Sequence, residues 1–211
     1  KRTIFINARL QYNVFDFLGI GVFGGFGAAS LNTDLTDKIN TNAPRNTRTQ
    51  VNLPGKGVDY ANQTGKMKYM FAPQITFSPF RGKLAVFQKL FVDTDLYLHL
   101  GAAFVGVEER ADCAAGTCSK PGAFATATRM AVAPTFGLGL TLYTTGFVSL
   151  NAEYRAFPFS WNRGGFDSRG TGPDSSFPDN AISSQDRTFK FNQMVFLAVG
   201  FYLPASPKIS D

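Results

Sequence analysis

Between Thr126 and Leu142 the chain changes character at every residue. The even positions read Thr126, Thr128, Met130, Val132, Pro134, Phe136, Leu138, Leu140 and Leu142. The odd positions read Ala127, Arg129, Ala131, Ala133, Thr135, Gly137, Gly139 and Thr141. One side is large and apolar; the other is small or polar. A period of two places successive side chains on opposite faces of a strand, whereas an amphipathic helix repeats every 3.6 residues. The overlapping stretch from Met130 to Ala152 is free of charged side chains, but Pro134, Gly137, Gly139 and Gly146 make it a poor transmembrane helix. The pattern predicts a strand.

Six further segments alternate in the same way. In 3–12, Ile4, Ile6, Ala8, Leu10 and Tyr12 oppose Phe5, Asn7, Arg9 and Gln11; in 17–29, Leu18, Ile20, Val22 and Phe26 oppose Gly19, Gly21, Phe23, Gly25 and Gly27. In 66–78, Met67, Tyr69, Phe71, Ile75 and Phe77 oppose Lys66, Lys68, Met70, Gln74 and Thr76. Segments 94–105, 147–157 and 190–203 set Leu96, Leu98 and Leu100 against Asp95, Tyr97 and His99, Leu150 and Tyr154 against Glu153 and Arg155, and Val195, Leu197 and Val199 against Lys190, Asn192 and Ala198. Each segment is about ten residues or more, which exceeds an ordinary globular strand and matches a tilted bilayer crossing. The charges fall opposite the large apolar residues, at Arg9, Lys66, Lys68, Asp95, Arg129, Glu153, Arg155 and Lys190. A small transmembrane barrel combines an apolar wall with a crowded polar interior in this way. The competing reading is a soluble antiparallel sheet with one solvated face.

The connections alternate too. Short turns join 3–12 to 17–29 at Asn13–Asp16 and 126–142 to 147–157 at Tyr143–Gly146, while long polar loops occupy 31–63, 107–124 and 158–188. Short periplasmic turns and long extracellular loops are the outer-membrane arrangement. Gly82–Leu90 fits a short interfacial helix within an intermediate link; the alternative, a strand over 83–91, would place the long loop 107–124 on the periplasmic side. Aromatics near the strand ends fit two interfacial girdles, with Phe15, Phe17, Phe77, Phe80, Phe91, Tyr143, Phe147 and Tyr202 on the turn side and Phe157, Phe159 and Trp161 on the loop side. The expected fold is therefore all-β: a single domain over 1–211, an antiparallel up-and-down transmembrane barrel of about eight strands, seven of them read in this chain. Parity asks for one more strand, rising from the turn side to pair with both 3–12 and 190–203.

Composition narrows the chemistry. Charged residues are only 17% of the chain, and its net charge of +6 is dispersed, so no basic patch points to nucleic acid. A single histidine excludes multi-histidine metal sites, and no cofactor motif is present. The glycines from Gly19 to Gly27 lack the following helix and Lys-Ser/Thr of a nucleotide loop. The chain opens at Lys1 with no visible signal peptide, the expectation being a removed leader or an incomplete N-terminus.

The stretch Ala8-Arg-Leu-Gln-Tyr-Asn-Val-Phe-Asp-Phe-Leu-Gly-Ile, followed by Gly24-Gly-Phe-Gly, resembles the early strands of the myxobacterial-type outer-membrane β-barrel domain family. So does Phe77-Ser-Pro-Phe-Arg-Gly-Lys-Leu-Ala-Val-Phe followed by Asp95-Leu-Tyr-Leu-His-Leu-Gly-Ala-Ala, and the likeness continues through Gly137-Leu-Gly-Leu and Asn151-Ala-Glu-Tyr-Arg. It covers nearly the whole chain. Most of its motifs are general barrel grammar; the Ser-Pro-x-x-Gly-Lys segment is distinctive. The resemblance implies a further strand ahead of the Ala-Arg-Leu segment, a structural or envelope-machinery role, and no catalytic residues.

Four chemical readings follow from individual residues. His99 with a nucleophile such as Ser149 would suit a lipid-modifying hydrolase, but no Gly-x-Ser-x-Gly frame surrounds any serine. The inward charges could line a small-solute pore, yet eight strands enclose a space that side chains can fill. A plug is therefore expected, with Arg9, Arg129 and Arg155 clustered on Asp95 and Glu153 as a lumen charge network. Cys113 and Cys118 lack two further metal ligands and predict a local disulfide, with two free thiols as the alternative. The expected protein is a non-enzymatic, closed-lumen component of the bacterial outer membrane. Its expected surroundings are outer-membrane lipid, lipopolysaccharide and protein partners of an envelope complex, without nucleic acid.

Overall fold

The computed structural model describes residues 2–42, 63–86, 90–111, 125–165 and 182–203. In chain order these form β1 (Arg2–Phe15), β2 (Leu18–Leu31), α1 (Asp34–Asn42), β3 (Lys66–Val86), β4 (Leu90–Ala111), β5 (Ala125–Tyr143), β6 (Val148–Ala156), β7 (Phe159–Trp161), β8 (Thr188–Lys190) and β9 (Gln193–Phe201). The fold is all-β. One antiparallel sheet of seven strands runs β1-β2-β3-β4-β5-β6-β9, and β7 pairs β8 in a separate two-stranded sheet. Among the described residues β1 and β9 share no ladder, so they are the two edges of the main sheet. No helix among the described residues is long and apolar enough to cross a membrane.

Each of the seven alternating segments lies on a strand of the main sheet, except that 190–203 begins at Lys190 in β8 and joins the main sheet only from Gln193, and the two faces are chemically opposite. The concave face buries Met70, Ala72, Gln74 and Thr76 of β3, Asp95, Tyr97, His99 and Ala103 of β4, and Ser149, Asn151, Glu153 and Arg155 of β6. The convex face exposes Ile4, Ile6 and Leu10, Ile20 and Phe26, Phe71 and Ile75, Leu98 and Leu100, Val132 and Leu138, and Val195 to Phe201 at alternate positions. The sheet is strongly curved: Arg155 of β6 donates to Gln74 of β3, and Phe23 of β2 meets Phe196 of β9 with ring centroids 5.4 Å apart. Inward glycines permit the close approach. A Cβ on Gly139 would run into the Tyr97 ring, its register partner across the ladder.

Several expectations are corrected. Within the expected helix Gly82–Leu90, residues 87–89 lie outside the described residues and Gly82–Val86 is strand; β3 and β4 remain paired through Leu84–Val92 to Val86–Leu90, after a bulge between Phe77 and Phe80 that accommodates Pro79. Arg81 faces Asp95 and Lys83 faces Asp93 across that ladder, and opposite charges at directly paired positions favour strands. The expected loop 107–124 is shorter, because β4 and β5 stay paired as far as Ala111–Ala125. The expected loop 31–63 contains α1, with Asp34 and Asp37 in its first turn, where carboxylates complement the helix dipole. Phe157, Phe159 and Trp161 are not a lipid-facing girdle. The odd face of β6 simply continues, carrying all three into the concave side beside Ala131, Ala133, Val105 and Val107. Tyr143 and Tyr202 also turn inward and meet with tilted rings, centroids 5.4 Å apart, whereas Phe15, Phe17, Phe77, Phe80 and Phe147 are exposed. Cys113 and Cys118 lie outside the described residues.

Candidate functional site

The side chains on the concave face sort into three tiers along the strands. At mid-height the carboxylate of Glu153 is the hub. It accepts from Arg9 Nη1 at 2.9 Å, from Arg155 Nη2 at 2.7 Å and Nε at 3.0 Å, and from the Tyr97 hydroxyl at 2.8 Å. Arg155 is fully buried; its Nη2 also donates to Gln74 Oε1 at 2.7 Å, and its guanidinium lies 4.1 Å over the Phe23 ring. Arg9 lies 4.7 Å over the Tyr97 ring. Strand parity accounts for the convergence, since Arg9, Phe23, Tyr97, Glu153 and Arg155 all occupy inward positions of their strands.

At the long-connection end the hub is Glu109. Arg129 donates to it through Nη2 at 2.8 Å and Nε at 3.1 Å, Arg187 through Nε at 3.1 Å, and the backbone N–H of Asn162 at 3.3 Å. Arg129 also donates to Ser160 O at 2.6 Å. The β6–β9 connection is thereby tied to β4 and β5. Beneath the tie sit Phe157, Phe159 and Trp161, and Trp161 Nε1 donates to Asn192 Oδ1 at 3.2 Å.

At the short-turn end, Asp95 Oδ2 accepts from the Tyr143 hydroxyl at 2.7 Å and Oδ1 lies 3.3 Å from Arg81 Nε. Arg81 also donates to Asp16 O at 3.1 Å, which joins the β3–β4 hairpin to the β1–β2 turn. A polar chamber of about 40 Å³ opens here, lined in part by Gln11, Thr76, Asp95 and Tyr143.

The expected five-residue network is therefore divided. Arg9, Glu153 and Arg155 meet, but Arg129 and Asp95 belong to the other two tiers. Distance along the strands explains Arg129: the ladders place Glu153 beside Gly139, ten residues from Arg129, or about 33 Å at strand rise. Glu109 and Arg187 are the missed members. Glu109 was legible, because the odd inward face of β4 continues unbroken from Asp95 to Glu109 beyond the point where alternation alone suggested a loop. Arg187 carries no such signal, since its position depends on the path of the β6–β9 connection.

The residues of the hydrolase reading are also placed. His99 is buried, with Nδ1 3.6 Å from Glu153 Oε1. Ser149 bonds at the short-turn end instead, accepting from Asn151 Nδ2 at 3.1 Å and contacting the Tyr202 hydroxyl at 3.4 Å. Neither bond links the serine to the histidine. No group of three or more potential metal ligands occurs among the described residues. No family model, curated protein or solved structure matches this chain.

Proposed function

We propose that this chain forms most of the wall of a small outer-membrane β-barrel, a non-enzymatic structural or assembly component of the cell envelope with a closed interior. The observation that carries the reading is the inversion of polarity across one sheet. Arg155 and Glu153 are sealed on the concave side while Leu, Ile, Val and Phe from seven strands stand exposed on the convex side. In water the convex surface would be a severe aggregation liability, because monomeric soluble proteins rarely expose apolar patches beyond a few hundred Å². Against lipid the same surface is the favourable one. The belt from Leu96 to Phe104 on β4 is nine residues long, the length of a tilted transmembrane strand. The reading includes kinship with the myxobacterial-type barrel family.

In this reading the tiers are a plug, and protein partners engage the long connections or the lipid-facing wall. Heat-modifiable migration on a gel, with a strand-dominated circular-dichroism spectrum in detergent, is the expected result; full solubility without detergent refutes it. Planar-bilayer recording is expected to show no conductance, and steady single-channel currents would replace the plug with the pore. Loss of a lipid product on His99→Ala would replace both with the enzyme.

A further inference from the structure

We infer that the gap between β1 and β9 is the seat of one further β-strand, antiparallel to both edges and carrying an inward-facing carboxylate opposite Arg9. This rests on the barrel reading and adds the partner's direction, pattern and charge. Six antiparallel ladders in series make β1 and β9 run the same way, toward the short-turn end. Two edges that point alike are bridged antiparallel by a single strand. Among the described residues their outward leucines are also more exposed than those of inner strands: Leu10 is 80% exposed and Leu197 82%, against 45% for Leu98, 50% for Leu138 and 65% for Leu100.

The charge follows from the mid-height tier. Arg9 pairs Phe23 in register, and Phe23 touches Phe196, so the gap at this level lies between Arg9 and Phe196. Here two guanidinium groups, those of Arg9 and Arg155, share the one carboxylate of Glu153. The Arg9 side chain retains 21% exposure while that of Arg155 has none. An enclosed excess of positive charge calls for a partner. An inward acid on the new strand would stand directly opposite Arg9, at about 5 Å between Cβ atoms. The occupant is thus an extended polypeptide segment of about ten residues, apolar at outward positions and small or polar at inward ones, with a central Glu or Asp.

The test uses the 211-residue chain refolded in detergent micelles, with backbone amide exchange read in β1 and β9. The probes are two synthetic strands of this pattern, identical except for a central inward Glu or Lys. Without peptide, β1 and β9 are expected to exchange faster than β4. The Glu strand is expected to protect both edges together, at about a tenfold lower concentration than the Lys strand. Arg9→Gln should erase that preference; if this variant fails to fold, the two peptides on the parent chain still decide the matter. Edges as protected as β4 without peptide, protection of one edge only, or equal effects of Glu and Lys would each overturn the proposal. Heat-modifiable migration of the same sample separates the failures. A heat-modifiable chain that ignores the peptides refutes the strand alone, whereas a chain that is not heat-modifiable refutes the barrel and the strand together.

Discussion

Removing the carboxylate of Glu153 is the sharpest perturbation of the mid-height tier. Glu153→Ala deletes the acceptor of four hydrogen bonds from Arg9, Arg155 and Tyr97. Arg155 is left fully buried, with Gln74 and Thr135 as its remaining side-chain hydrogen-bond partners and no counter-charge. Four bonds to charged groups cannot simply be summed, because the unfolded chain solvates the same groups. The relevant scale is that for breaking a buried ion pair, about 3–5 kcal/mol. With a urea slope of about 2 kcal/mol/M, the unfolding midpoint should fall by about 1.5–2.5 M. The double variant Glu153→Ala with Arg155→Met should regain much of this loss, since an apolar replacement of both members is often near neutral. Urea titration of the refolded protein in micelles provides the readout. A Glu153→Ala midpoint within 0.5 M of the parent (about 1 kcal/mol), or a double variant less stable than the single one, would refute the account of Glu153 as hub.

The Glu109 tie is expected to hold the aromatic plug: Glu109→Ala should shift the emission of Trp161, the sole tryptophan, to longer wavelength, and unchanged emission would show that the plug stands without the tie. Gly139→Ala drives a methyl into the Tyr97 ring and should cost about 1–3 kcal/mol by urea titration, the range for overpacking; a neutral result would mean the ring has room to yield. Glu108, beyond the apolar belt, accepts from Lys68 at 2.7 Å, and that bond holds its carboxyl below the usual glutamate range. A lowered carboxyl pKa in the folded protein contributes stability above the ordinary glutamate range that is lost as pH falls through the lowered value. Lys68→Ala should therefore cost under about 1 kcal/mol at pH 7 and progressively less as the pH falls through that lowered value, and a loss independent of pH would remove the pair from the account.

The period-two signal was enough to locate every strand of the main sheet, because each strand separates chemically opposite surroundings and an error of one residue would invert both faces. It failed where that contrast fades. From Gly82 to Val86 the β3–β4 ladder runs past β2 and β5, so neither flank imposes a face, and oppositely charged residues stand at paired positions instead. The charge network was legible in membership and illegible in height. Arg129 and Glu153 are both inward, but parity carries no information about which ladder rung each occupies. Rungs are set by bulges and turn lengths, such as the bulge between Phe77 and Phe80. Phe157, Phe159 and Trp161 were placed on lipid because they are large and aromatic, although their own alternation with Pro158 and Ser160 continues the inward face of β6.

That last point accounts for the two ways in which the concave side is filled. Toward the short-turn end and mid-height, the filling comes from the wall strands, and it is polar because Arg9, Glu153 and Arg155 find partners there. Toward the long-connection end the wall contributes the small residues Ala72, Ala103, Ala131 and Ala133 beside Met70, Val105 and Val107. Alanines cannot close a space framed by seven strands, and open apolar volume forfeits dispersion contacts on every lining atom. The β6–β9 connection supplies the missing bulk, with two phenylalanines and the tryptophan in five residues, and Glu109 fixes the segment by its backbone at Asn162 and its side chain at Arg187. The small inward residues of β3, β4 and β5 and the aromatic alternation of 157–161 are two halves of one packing solution. A reduction of bulk at Trp161 should then be felt at Ala131 and Ala133, and paired substitutions that restore volume across that contact should recover stability where either change alone does not.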